Sequence, residues 1–259
     1  MICARCDHYA AKPDDTLCAQ CAVAPAPSDP PPPAAVPYVP PAPTAWLRSP
    51  VGLGRAAAAA LGLVVAADLA AVWSDLVSID VTDDLMKGVA GTDMVRRAER
   101  ADTLSGVAGL AQVATLVAAI AVYLCWFYRV RVNAEVFDQS AHSKARGWAI
   151  GGWFVPVANL WFPRRVTLDI WDASTPWGRR PSHALVNAWW GLWILSLAAD
   201  RAAFTADRHA KTPSELHHAA GTMLFSDSVD IVSALLAIAL VLRLTRMQHQ
   251  KALAGPLPE

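Results

Sequence analysis

Four cysteines fall in the first 21 residues of the 259-residue chain, as Cys3-Ala4-Arg5-Cys6 and Cys18-Ala19-Gln20-Cys21. Each Cys-x-x-Cys turn aims two thiolates at one point. Two such turns supply the four sulfurs, at about 2.3 Å, that close a tetrahedral Zn²⁺ with no position left open for a reacting group. The spacing therefore predicts a structural Zn²⁺ site held by Cys3, Cys6, Cys18 and Cys21, with a redox dithiol pair as the alternative. Met1–Ala22 contains no apolar run of signal-peptide length, so the thiols are expected in the reducing cytoplasm, where such pairs bind metal more often than they form disulfides. A unit this small has no room for a core, and the metal must supply its folding free energy. Zinc ribbons that grip nucleic acid need a basic face. Here Arg5, Lys12 and His8 are offset by Asp7, Asp14 and Asp15, so a cytoplasmic protein partner is expected and nucleic acid is not.

A second group of chemistry-bearing residues is acidic and sits inside apolar runs. An ionisable side chain within a membrane span costs a few kcal/mol, which makes each one a functional candidate. Asp68, Asp200, Arg201, Asp227 and Asp230 form the candidate intramembrane polar site, a hydrated vestibule for a cation or proton in which Arg201 pairs one carboxylate. Asp75 lies seven residues beyond Asp68 on the same helix face. The plainer alternative is that Asp75, Asp200, Arg201 and Asp227 mark where helices leave the bilayer. Ser105, Ala108, Gln112, Thr115 and Ala119 share one face of another apolar run and read as a close-packing stripe. Thr212-Pro213-Ser214-Glu215 is a capping box that opens a short helix bearing His217 and His218. With His209 these imidazoles offer a metal site or a pH sensor, although adjacent helical positions point about 100° apart. Cys125 reads as a packed thiol. No His-Glu-x-x-His, Gly-x-Ser-x-Gly or phosphate-loop pattern occurs, so an enzyme is not expected.

The elements that must position these groups follow from composition. The chain is 54% hydrophobic and 17% charged, against about 45–50% and about 25% in soluble domains, a shift toward an apolar solvent. Four runs have the roughly 20 apolar residues that cross a bilayer: Leu53 to Val77, Leu104 to Phe127, Ala184 to Phe204 and Leu224 to Leu244. A fifth, Gly147 to Phe162, is shorter and is broken by Gly151, Gly152 and Pro156. The chain thus divides into a zinc-ribbon-like module (1–23), a proline-rich linker (24–44) in polyproline II conformation, a helical membrane domain (45–250) and a C-terminal tail (251–259). The linker also offers a docking site for a proline-binding module.

Positive charge orients the spans. The connection from Ser78 to Thr103 is acidic and belongs outside. Tyr128 to Arg146 and Pro163 to His183 are both basic, as is the end bearing Arg243, Arg246 and Lys251. All three lie inside, with the N-terminus, only if Gly147 to Phe162 re-enters instead of crossing, which leaves a short fifth span as the alternative. Arg164 to Ser174 reads as a short interfacial helix with Arg165 and Asp169 at i,i+4 spacing, and Trp153, Trp161, Trp171 and Trp177 as an aromatic belt. The expected fold is all-α: a polytopic transmembrane helical bundle of four spans plus a re-entrant or short fifth segment, behind a small zinc-ribbon-like module.

The string from Gly152 to Pro163, with Trp153, Pro156, Asn159, Leu160 and Pro163, followed by Trp171 in Asp169-Ile170-Trp171-Asp172, resembles the signature of a bacterial, mainly actinobacterial, membrane family catalogued as domain of unknown function 4328. The resemblance covers roughly Arg55 to Leu244 and implies an integral membrane domain, often preceded by a zinc-ribbon-like unit and a proline-rich linker. It implies no activity and no catalytic residue. The ribbon lacks the glycine that often follows a Cys-x-x-Cys knuckle, having Asp7 and Ala22 instead.

The reading that results is a multi-pass protein of the plasma membrane, its N-terminus cytoplasmic, acting as an adaptor or sensor whose zinc ribbon binds a protein partner. The alternative is a small transport or permeation protein that uses its intramembrane Asp residues. The lipid bilayer is the one partner both readings require, and homo-oligomerisation is left open. The formal net charge of zero then conceals a polarised molecule, basic on the cytoplasmic side and acidic on the other.

Overall fold

The computed structural model describes residues 1–23 and 47–255. The proline-rich linker expected over 24–44 and the last four residues of the tail lie outside the described residues. Two compact units result, Met1–Thr44 and Ala45–Glu259.

The first unit is a knot of backbone hydrogen bonds around sulfur. Ile2 and Ala10 form an antiparallel bridge, Cys3 N–H donates to Tyr9 O at 2.9 Å, and Ala4 N–H donates to Thr16 O at 3.0 Å. A five-residue helix, α1 (Ala19–Val23), carries the second cysteine pair. Ile2, Tyr9 and Val23 are exposed, and only Cys3 and Cys18 are buried among its described apolar residues. Burial of apolar area therefore contributes little to its folding.

The second unit is helical throughout its described residues. α2 (Val51–Met86) and α3 (Thr92–Phe137) form a hairpin. A one-turn helix, α4 (Trp148–Gly151), a 3₁₀ turn at Ala158–Leu160 and α5 (Phe162–Ser174) follow. A second hairpin joins α6 (Ala184–His209) to α7 (Pro213–Ala254). α7 is the central element, packed along both α2 and α6.

The long helices overrun the expected spans. At about 1.5 Å per residue, the 36 residues of α2 extend roughly 54 Å, well beyond a hydrocarbon core of about 30 Å. The expected outer loop from Ser78 to Thr103 is mostly helix, closed by a turn whose Gly88 (φ 81°) and Gly91 (φ 125°) adopt backbone conformations that side chains resist. Ion pairs explain the extension: Arg97 donates to Asp84 at 2.7 Å and to Asp80 at 2.8 Å, over a small core of Val81, Met94 and Ala101. The separate short helix expected after Thr212 is instead the first turns of α7. Its cap is as expected, with Glu215 N–H donating to Thr212 Oγ1 and Thr212 N–H donating to Glu215 Oε2.

Gly147 to Phe162 forms no helix of spanning length. Gly152 packs so closely that a Cβ would lie 2.8 Å from Trp148 O, and Val157, a β-branched residue, is held at φ 68°, a strained conformation. Trp153 anchors the segment in an aromatic cluster with Tyr123, Phe127, Trp189, Trp190 and Trp193, its nearest ring centroid being Trp193 at 5.6 Å. The expected aromatic belt is thus divided: Trp153 and Trp171 belong to the core, whereas Trp161 and Trp177 are exposed.

α5 is buried on more than the one face expected, with Val166, Thr167, Ile170, Trp171 and Ser174 all inside. Its Arg165–Asp169 pair forms at 3.3 Å, and Asp169 also accepts from Ser143 N–H and Oγ. A polar network ties α3, α5 and α7 together beneath it. Gln248 donates to Val130 O and Ser174 Oγ, Asn133 donates to Gln248 Oε1, and Lys251 donates to Ala173 O and Thr175 O at the C-terminal end of α5. Trp126 Nε1 donates to Thr245 Oγ1 at 2.9 Å, and α2 approaches there so closely that a Cβ on Gly54 would collide with that oxygen.

The connection between α3 and α4 contains one buried imidazole. Both ring nitrogens of His142 are buried. Burial and the Arg131 charge hold it below the ordinary 6.5, with the Ala134 carbonyl, Glu135 and Asp169 opposing. A folded value below the unfolded one means that the unfolded chain binds the proton more readily, so stability is lost as pH falls from about 6.5 toward the lowered value. Thermal melts in detergent should show this loss, and His142→Gln should flatten it. Asp138, held below 3.8 by Ser140 and neighbouring N–H groups, acts in a separate, more acidic window.

Candidate functional site

The four sulfurs of Cys3, Cys6, Cys18 and Cys21 lie within 4.8 Å of one another and can hold a metal ion. Cys6 Sγ and Cys18 Sγ are 3.8 Å apart, and a tetrahedron of sulfurs about 2.3 Å from a Zn²⁺ has edges of about 3.8 Å. Cys18 N–H donates to Cys3 Sγ at 3.1 Å, a bond that stabilises thiolate. The donor set fits a closed, structural ion. Asp7 occupies the place where a glycine often follows a Cys-x-x-Cys knuckle, and its φ of 52° shows why: the turn after the first knuckle is left-handed, and Asp tolerates that region better than most residues. Ala22 needs no such freedom, because the second knuckle enters α1 directly and Ala22 N–H donates to Cys18 O.

The acidic residues converge in the second unit. Asp68 and Asp75 come from α2, Asp200 from α6, and Asp227 and Asp230 from α7. From α3, Gln112 Nε2 donates to both Asp68 Oδ1 at 3.1 Å and Asp227 Oδ1 at 3.0 Å, so all four long helices meet in one polar site. Asp75 neighbours Asp227, and Asp230 neighbours Asp200. Ser226 Oγ donates to Asp200 Oδ1 at 2.7 Å. Ionised carboxylates only accept hydrogen bonds, so neighbouring ones repel unless a proton or a cation is shared between them. The second oxygens of Asp68 and Asp75 are buried and have no hydrogen-bond partner.

Several expectations change here. Asp75 lies within α2, which continues to Met86, and its side chain is buried. Asp227 likewise lies well inside α7. Arg201 is exposed and pairs with none of these carboxylates. Gln112 is the residue the sequence reading passed over. Its stripe does pack, with Ala108 and Ala119 buried and Ser105 Oγ 2.8 Å from Ser74 Oγ. An amide in the middle of such a stripe was the available signal.

The three histidines do not form a joint site. His217 faces Asp83 at 3.3 Å and Thr82 at 3.4 Å, while His209 bonds Thr205 O of its own helix. Cys125 is exposed, not packed. The motif residues do not line a pocket together: Pro163 lies in the first turn of α5 and is buried, Trp171 is in the core, and Pro156 and Leu160 are exposed. Asn159 Oδ1 is buried without a partner.

The outer faces of the same helices are apolar. Leu63, Leu69, Trp73, Leu110, Leu116, Leu195 and Leu235 stand exposed around the buried carboxylates, more apolar surface than water tolerates on a monomer. Three helices, Val51–Met86, Thr92–Phe137 and Pro213–Ala254, are long and apolar enough to cross a membrane. These features define the class of multi-pass α-helical membrane proteins. Within it, the chain belongs to the family described as Domain of unknown function (DUF4328), which matches residues 92–246. No curated protein and no solved structure matches the chain. The matched residues include the Trp153–Trp171 motif, Gln112, Asp200, Asp227 and Asp230. They exclude α2, on which the resemblance had also been expected, and with it Asp68 and Asp75.

Proposed function

We propose that this is a small transport or permeation protein that binds a proton or small cation at the carboxylate cluster shared by its four long helices. One observation carries the reading: Gln112 bridges Asp68 and Asp227 while the second oxygens of Asp68 and Asp75 are buried without a hydrogen-bond partner. A purely structural polar site would satisfy those oxygens, because burying them unpaired costs stability. In this reading α2, α3, α6 and α7 cross the plasma membrane, the segment from Gly147 to Phe162 re-enters, and the basic ends and N-terminus are cytoplasmic. The distribution of positive charge supports that orientation. Proteoliposomes under an imposed pH or Na⁺ gradient test the function: the full chain carries flux, and Asp68→Asn with Asp227→Asn does not.

A second reading rests on the cysteine geometry. A cytoplasmic zinc-ribbon module on a proline-rich tether would make the protein an adaptor or sensor that engages a protein partner, with no enzymatic activity. Cross-linking in cells distinguishes the two. Partners lost with Cys6→Ser, while flux stays absent in the intact chain, favour the adaptor.

A further inference from the structure

We propose that the cavity between the α5–α6 connection and α7 binds a phosphate-bearing anion, either a lipid headgroup or a free phosphate compound. This site is separate from the carboxylate cluster. The cavity measures ≈ 660 Å³, and its wall gathers four guanidinium side chains, Arg179 and Arg180 from the connection and Arg243 and Arg246 one turn apart on α7. No Asp or Glu lines it, and among the described residues none of the four arginines is in an ion pair. Asp172, beside the lining Trp171, is already bonded to His183 Nε2 at 2.6 Å. Trp171 holds the Arg243 guanidinium over its ring at 5.6 Å, which pre-orients that fork.

Orientation in a membrane requires basic residues on one side, but it does not require four of them around one concavity. Like charges so gathered repel, and an anion that accepts from several forks removes that repulsion. A phosphate group has the oxygens to do so. Ala239, Leu242 and Met247 line the same cavity, so an apolar wall adjoins the charged one, the arrangement a glycerophospholipid presents at an interface.

The test uses the full chain purified in detergent. Calorimetric titration with pyrophosphate probes free phosphate. Native mass spectrometry after incorporation into phosphatidylcholine nanodiscs containing phosphatidylglycerol probes lipid. The Arg243→Gln/Arg246→Gln variant should weaken whichever probe binds at least about tenfold, whereas Arg55→Gln, a control outside the cavity, should not. Pyrophosphate binding identifies the soluble source, and selective phosphatidylglycerol retention identifies the lipid. If the double variant melts early, Arg179→Gln/Arg180→Gln in the exposed connection carries the same expectation. The proposal is overturned if neither probe binds, or if Arg55→Gln weakens binding as much as the cavity variants do.

Discussion

Gln112→Leu should abolish proton or cation flux in proteoliposomes and lower the melting temperature in detergent. The amide is a shared donor to Asp68 and Asp227. Replacing it by an isosteric hydrocarbon leaves two carboxylates facing each other with no donor between them. Loss of one hydrogen bond to a charged group is worth about 1.5–3 kcal/mol, and the like-charge repulsion adds to it. Asp68→Asn should behave differently. An Asn at that position still pairs with Gln112 and removes one buried charge, so stability should hold or rise while flux is lost. This divergence separates the functional reading from a structural one, in which both variants would simply destabilise. Gln112→Glu gives a further contrast: a sixth helix-borne carboxyl group, beside Asp68 and Asp227, should survive only when protonated, and the variant's melting temperature should rise as pH falls.

Cys6→Ser should remove the bound metal from the purified chain and unfold the first unit without affecting the second. With only Cys3 and Cys18 buried there, apolar burial cannot hold the unit, and apparent Zn²⁺ binding energies of about 10–16 kcal/mol in comparable peptides are the available source of stability. One equivalent of Zn²⁺ per chain by elemental analysis is expected for the wild type, and none after Cys6→Ser or treatment with a chelator. Protease digestion should then cut within residues 1–23, while the melting of the helical unit stays unchanged. Asp7→Val should weaken metal retention for a different reason, since a β-branched residue resists the left-handed turn that Asp7 adopts.

Spacing and hydropathy reach different depths in this chain. The cysteine pairs were legible because ligand geometry is local: two residues between thiols and a short loop suffice to bring four sulfurs together. The apolar runs located every long helix, but not its ends. Hydropathy reports the solvent a residue prefers, whereas Asp80, Asp84 and Arg97 extend the helix in water through ion pairs that no window average detects. The carboxylates were individually visible as misplaced charges. Their convergence depended on helix rotation, which is fixed by packing details such as Gly54 against Thr245. Gln112 was hidden because an uncharged amide in a stripe of small residues carries no hydropathy penalty large enough to stand out. The broken segment around Trp153 was legible from Gly151, Gly152 and Pro156, but the depth at which Trp153 enters the aromatic cluster was not.

Infrared difference spectroscopy of the reconstituted chain tests the central claim most directly, because it observes the carboxyl groups themselves. If a proton lies between Asp75 and Asp227 or between Asp230 and Asp200, a protonated-carboxyl carbonyl band will be present at neutral pH, will shift in deuterium oxide, and will disappear with Asp75→Asn and Asp230→Asn. If a cation lies there instead, the band will be absent, and replacing Na⁺ by a large organic cation will shift the carboxylate stretches of the wild type but not of those variants. A spectrum that responds to neither proton nor cation, and is unchanged by both substitutions, would contradict the account.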